Sequence, residues 1–97
     1  MFGGIARADL GAPGDIKRFA LAITEYCAEA NASITSWYRT PKRNKLVGGR
    51  PNSRHLKGLA ADVVYDEALG KAHRTGIAKR YGLVILFEKT HDHITLA

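Results

Sequence analysis

The sequence predicts an α+β fold: a small antiparallel sheet with two main helices. Three observations carry this reading. Apolar residues recur at helical spacing in the first third of the chain and a second helical stretch lies near residues 67–80. Short β-branched, aromatic or apolar runs occupy 33–39, 59–65, 83–87 and 91–96. The last two runs are joined by so few residues that they form a hairpin, and this order of elements favours an antiparallel sheet.

In chain order, residues 1–12 contain three glycines without a clear period and are expected to form a strap or a short strand. Pro13-Gly14-Asp15 reads as a helix start with Asp15 as N-cap. Ile16, Phe19, Ala20, Ile23, Cys27 and Ala30 then repeat at helical spacing, and Asn31 is the stop. Ser33 to Arg39 reads as a strand, ended by Thr40-Pro41, with Trp37 and Tyr38 on opposite faces. Residues 41–54 hold two prolines, Gly48-Gly49 and Asn52-Ser53, and read as a long loop, a feature that often carries function in a compact domain. Leu59 to Tyr65 is the second strand, with Gly58 at its mouth. Asp66 is expected to cap a helix from Glu67 to Arg80, weakened by Gly70 and Gly76 and closed by Gly82. The unbroken apolar run Leu83–Phe87 predicts a buried central strand, and after a tight turn near Lys89-Thr90 the alternation of His91–Leu96 predicts the last one.

Ninety-seven residues form one domain, 1–97, with a thin core of the kind that a bound metal often supports. The single cysteine, Cys27, excludes an internal disulfide and a Cys-rich zinc site, and reads as a buried helix residue. A net charge of +6 favours polyanionic partners without choosing among them. No apolar run approaches the roughly 20 residues of a membrane span. Met1 to Leu10 lacks the apolar core of a secretory signal, so synthesis in the cytoplasm is expected.

The chemistry concentrates in two stretches, Ser53-Arg54-His55-Leu56-Lys57-Gly58-Leu59-Ala60-Ala61-Asp62 and His91-Asp92-His93. Ionisable groups beside apolar strands are costly unless something binds them. Gly58 lets the backbone turn so that His55 and Asp62 can face one point, and His91 and His93 share a strand face. Imidazole and carboxylate suit a catalytic zinc, which takes three protein ligands and keeps a fourth position for water. Glu88, at the end of the preceding strand, is placed to act as a general base. The spacing matches no strong local zinc signature, so on the residues alone two readings stand. One is a metal site. The other is a polar loop contact between His55 and Asp62, with His91 and His93 on an exposed strand.

Ser36-x-Tyr38-Arg39, Asn44-x-x-Val47-Gly48-Gly49, Ser53-x-His55-x-x-Gly58-x-Ala60-x-Asp62 and the final His91-x-His93 together resemble the zinc DD-peptidase and Hedgehog-like metallopeptidases. That group includes D-Ala-D-Ala carboxypeptidases, dipeptidases and phage L-alanyl-D-glutamate endopeptidases. The resemblance spans about residues 33–96, and its Ser-x-His-x-x-Gly-x-Ala-x-Asp block is the specific part. It implies an α+β fold with one Zn2+ on an antiparallel sheet. It implies His55 and Asp62 as the first two ligands. His93 is the favoured third ligand, with His91 assisting at the oxyanion; Glu88-x-x-His91 is the other pattern that fits. Glu88 would be the general base, and Arg39 would hold a substrate carboxylate or the oxyanion. Ser53 and Tyr38 would contact substrate. The implied partner is a peptidoglycan stem peptide, cut by a monomer that acts on the cell wall after release or from a phage particle.

Arg39, Lys42, Arg43, Lys45, Arg50, Arg54 and Lys57 run without an intervening acid. Beside Trp37 and Tyr38 this permits a single-strand nucleic-acid reading, but no nucleic-acid-binding signature accompanies it. A non-catalytic zinc domain of the same fold is the nearer alternative. His73, outside every motif, is expected on the surface.

Overall fold

The computed structural model describes residues 11–49 and 54–97. Helix α1 spans Pro13–Ala30. Its N-cap is Ala12, without a side-chain cap; Pro13, with φ already set for a helix, starts it in place of the expected Asp15 cap. Asp15 lies in the first turn, where a carboxylate favours the helix dipole. Asn31 ends the helix in the left-handed conformation, φ 52°.

Strand β1 covers Ala32–Ser36 and stops short of the expected Arg39. Its pairing with the next strand shifts between Ile34 and Ser36, and this irregularity turns Trp37–Arg39 out of the ladder. The expected loop contains a six-residue helix, α2, over Pro41–Leu46, and a 3-10 turn over Arg54–Lys57. Thr40 caps α2 by accepting from the Arg43 N–H, and Pro41 occupies its first turn, so Thr40-Pro41 starts a helix as well as ending a strand.

Strand β2 (Ala60–Tyr65) follows Gly58, whose φ of 73° makes the bend at the strand mouth. Helix α3 runs only from Lys71 to Arg80, with Gly70 as N-cap. Asp66 does not cap it: the Asp66 N–H bonds to the Asn31 carbonyl at 3.0 Å, extending the β1–β2 pairing instead. Strands β3 (Leu83–Phe87) and β4 (Asp92–Leu96) form the closing hairpin.

The four strands lie in the order β1-β2-β4-β3, all neighbours antiparallel. The fold is therefore α+β with an antiparallel sheet, as predicted, but β3 is an edge strand and not the buried centre. Burial alternates along it: Leu83 is buried, while Val84 and Leu86 are 51% and 59% exposed. A continuous apolar run needs both faces covered to read as a central strand. Here α3 covers one face, and the apolar residues of the other face the open side of the sheet.

Helices α1 and α3 pack on that covered face. Phe19, Ile23, Tyr26 and Ala30 of α1 meet Ala61 and Val63 of β2, Ile94 of β4, Leu83 of β3, and Ile77 and Ala78 of α3. Cys27 is half-buried beside this cluster, and burial pushes its thiol pKa up, away from the reactive thiolate. His73 is exposed. Among the described residues no helix is long and apolar enough to cross a membrane. Phe19, fully buried and edge-on to Trp37 at 6.1 Å, joins the core to the segment that leaves β1. Phe19→Ala is expected to cost about 3–5 kcal/mol of unfolding free energy, measured by urea denaturation.

Candidate metal centre

The opposite face of the sheet is open, and the register assembles the site there. Ser36 pairs with Asp62, Asp62 with His93, and His93 with Leu86, so these four residues form one row across the sheet. Cross-strand neighbours on one face lie about 5 Å apart. Residue alternation sends Asp62 and His93 to the open face and sends Ala61, Val63 and Ile94 to the core.

His55 comes to this row from the 3-10 turn and is almost completely buried, at 2% exposure. Its Nδ1–H donates to the Trp37 carbonyl at 2.7 Å. Trp37 is itself pinned by its indole N–H, which donates to the Gly58 carbonyl at 2.8 Å, and Arg39 N–H donates to the His55 carbonyl at 3.0 Å. The segment that leaves β1 thus forms a backbone cradle for His55. The carbonyl on Nδ1 orients the ring and makes Nε2 the nitrogen that would hold a metal.

That Nε2 faces Asp62 Oδ1 at 3.1 Å, and His93 Nδ1 faces the same oxygen at 3.3 Å. One ligand atom from each of His55, Asp62 and His93 lies within 4.8 Å of the others. A tetrahedral zinc with bonds near 2.05 Å sets its ligand atoms about 3.3 Å apart. The two separations from Asp62 Oδ1 lie close to this value, and all three ligand atoms lie within 4.8 Å, so the donor set suits the ion in type and is near its spacing. The set offers no thiolate, which separates it from the common structural zinc sites.

Asp62 divides its two oxygens. Oδ1 faces the imidazoles, and Oδ2 accepts from Arg39 Nη2 at 3.1 Å. Burial alone would raise the Asp62 pKa, but the hydrogen bonds from His55 and His93 and the charges of His55 and His91 outweigh it. The carboxyl is held well below the usual carboxylate range, so it is an anion and a competent ligand across neutral pH. Arg39 is further held by Asn44 Oδ1 at 3.1 Å and Ser36 Oγ at 3.3 Å. Gly49 closes over this contact: an added Cβ there would stand 2.0 Å from Asn44 Oδ1, so a larger residue would displace the Asn44 amide from its place beside Arg39.

His91 lies just before β4 and on the same side as His93. Its Nε2 is 3.1 Å from Glu88 Oε1 and 3.6 Å from Asp62 Oδ1, and its Nδ1 is 3.0 Å from Thr90 Oγ1. Glu88 and His91 are also joined through the backbone, with Glu88 N–H donating to the His91 carbonyl at 3.0 Å. Glu88 therefore borders the site at the turn of the hairpin. These groups line a cleft of about 630 Å3, with Arg39, Arg54 and the Val47–Gly49 segment on one side and Leu86 and Thr95 on the other.

The structure thus brings His55, Asp62, His93, His91, Glu88 and Arg39 together. Tyr38 is 41% exposed and is not among the residues lining the cleft. Ser53 lies outside the described residues. Three participants were not singled out from the sequence. The Trp37 carbonyl was invisible there, because backbone groups carry no residue signal. Asn44 was noted only as part of a motif. Leu86 was hidden by the expectation that its whole strand is buried.

An antiparallel sheet with two histidines, a carboxylate and an adjacent glutamate on its open face carries the donor set of a hydrolytic metal site. The peptidase M15 family model matches residues 17–95, and the chain belongs to that family, which comprises zinc-dependent metallopeptidases. No curated protein and no solved structure matches the chain.

Proposed function

We propose that the chain is a zinc-dependent peptidase that hydrolyses peptidoglycan stem peptides, of the D-Ala-D-Ala carboxypeptidase or L-Ala-D-Glu endopeptidase type. The observation that carries this reading is the convergence of His55, Asp62 and His93 within 4.8 Å of one another in an open cleft that Glu88 borders. The bound ion would supply Lewis-acid polarisation of the scissile carbonyl and an acidified water. His55, Asp62 and His93 would hold it. Arg39 orients Asp62 by occupying Oδ2, and this supports a role in aiming the ligand carboxylate beside the expected role toward substrate.

Glu88 accepts the proton of the attacking water and returns it to the leaving amine. His91, in hydrogen-bond reach of Glu88, donates toward the oxygen of the developing tetrahedral centre. Arg54 is exposed at the cleft, where it can meet a substrate carboxylate, and the exposed side chain of Leu86 suits a small apolar substituent. A stem peptide offers both. By analogy with the phage enzymes it resembles, the protein acts on the wall after release or from the virion.

The test is digestion of purified peptidoglycan with and without zinc, with mass analysis of the fragments. Loss of terminal D-Ala or a new D-Glu amino terminus identifies the bond. Intact substrate under every metal condition assigns the chain to a non-catalytic zinc domain. Alanine scanning of the pair settles the third ligand. His93→Ala is expected to lose zinc in dialysis with metal analysis, whereas His91→Ala keeps it; the reverse outcome makes His91 the ligand.

A further inference from the structure

Asp92 stands between the two histidines of the cleft and points the other way. Successive strand residues face opposite sides, so the Asp92 carboxylate enters the covered face of the sheet, where it is 3% exposed. Two donors meet its Oδ2 there: Tyr65 Oη at 2.6 Å and Arg74 Nη1 at 2.5 Å. Tyr65 has one hydroxyl proton and gives it to Asp92, so Tyr26 donates to Tyr65 Oη at 2.6 Å. The Arg74 guanidinium also lies 4.7 Å from the Phe87 ring centroid and 5.3 Å from that of Tyr65. The network joins α1, β2, α3 and β3 to the first residue of β4.

A polar cluster of this kind is not what a core needs for stability. Well-packed apolar residues often serve as well as a buried ion pair or better. This cluster also leaves Arg74 Nε buried with no hydrogen-bond partner among the described residues. What the cluster does is fix one point of the chain. Lys89 and Thr90, in the turn before β4, are exposed, and the ladder closes at the bond between Glu88 and His91. Asp92 is thus the first core-anchored residue after the turn, and its two neighbours are His91 and His93.

We propose that Asp92 and Arg74 form a clamp that sets the aim of His91 and His93 at the metal centre from the opposite face of the sheet. They are positioning residues, since neither reaches the cleft. The clamp rests on the metal-centre reading above. It makes α3, which contributes no residue to the cleft, a support of the site through Arg74.

The test compares the full chain with Asp92→Asn, Arg74→Met, Arg74→Lys and Tyr26→Phe. Zinc affinity is measured by competition with a chromophoric chelator, and the Tm of each zinc-free protein is measured beside it. Asp92→Asn and Arg74→Met are expected to weaken zinc binding about 10–100-fold, the range for changes outside the ligand shell. Arg74→Lys, which keeps the charge, recovers part of the loss. Tyr26→Phe cuts the far end of the network and lowers the Tm with zinc affinity unchanged. Asp92→Asn and Arg74→Met proteins that bind zinc as the native chain does, or a Tyr26→Phe protein that weakens zinc as much as they do, would overturn the clamp. If Arg74→Met fails to fold, the near-isosteric Asp92→Asn and the charge-keeping Arg74→Lys give the same comparison. A native chain that binds no zinc removes the metal-centre reading itself.

Discussion

Glu88→Gln is expected to lower peptidoglycan hydrolysis about 10²–10⁴-fold while leaving bound zinc unchanged, the range lost when a positioned general base is removed. The amide keeps the size of the side chain and can still meet His91, so the hairpin turn and the ligand set survive. What it removes is a proton acceptor beside the cleft. Glu88 is not one of the three converging ligand groups, and its carboxylate is partly open to the cleft, where it can reach a substrate. Metal analysis and a kinetic assay on the same preparation separate the roles. If Glu88 is the base, the loss falls on kcat, with KM and zinc content near native values. A variant that keeps full activity would pass the role to His91, the other group with reach. One that loses zinc would make Glu88 a ligand, by the Glu88-x-x-His91 pattern.

The parts of the fold visible in the sequence are those fixed by local periodicity. Phe19, Ile23, Cys27 and Ala30 announce α1, and Asn31 ends it, because a helix shows one face per 3.6 residues wherever it sits. The strand content of β4 is equally plain, since Asp92 and Ile94 alternate with His91 and His93. What local pattern cannot carry is position in the sheet. Leu83–Phe87 has the composition of a central strand and stands at the edge, with Leu86 open to the cleft, because strand order is set by long-range pairing. The short α2 helix had a usable signal that was read only as a stop: Thr40-Pro41 is also an N-cap followed by the residue favoured at the first helical position.

The site divides in the same way. His55 and Asp62 could be placed together because Gly58 bends the chain between them, and His91 and His93 because they share a strand face. That the two pairs meet follows from the β2–β4 register, in which Asp62 lies opposite His93. Arg39 on Asp62 and Arg74 on Asp92 were out of reach for the same reason. Each pair joins residues far apart in sequence through the packed fold.

Adding zinc to the native chain is expected to raise its Tm, and Asp62→Ala is expected to abolish that rise. A ligand that binds only the folded state at a hundred times its Kd stabilises it by about 2.7 kcal/mol. In a domain near 100 residues each kcal/mol moves Tm by about 4–8 °C, so the native shift is about 10–20 °C. Asp62 is the residue on which the centre depends most, because its Oδ1 is the common neighbour of His55, His93 and His91 and its Oδ2 holds Arg39. Without it the ion loses one of three protein ligands, and zinc affinity should fall by more than the roughly 10–100-fold of an outer-shell change. The zinc-free variant should also be less stable than the native chain. Removing the anion leaves the Arg39 guanidinium and three imidazoles facing one another around a largely buried point, and stranding one partner of a buried pair costs about 3–5 kcal/mol. Asp62→Asn separates the two effects, since its amide oxygen can still accept from Arg39 but it supplies a much poorer metal ligand. Its zinc-free Tm should lie between those of the native chain and Asp62→Ala, with the zinc-dependent rise still missing. Thermal scans of the three proteins, in chelator and in excess zinc, measure both quantities at once. A full zinc shift in Asp62→Ala would place the ion elsewhere in the molecule.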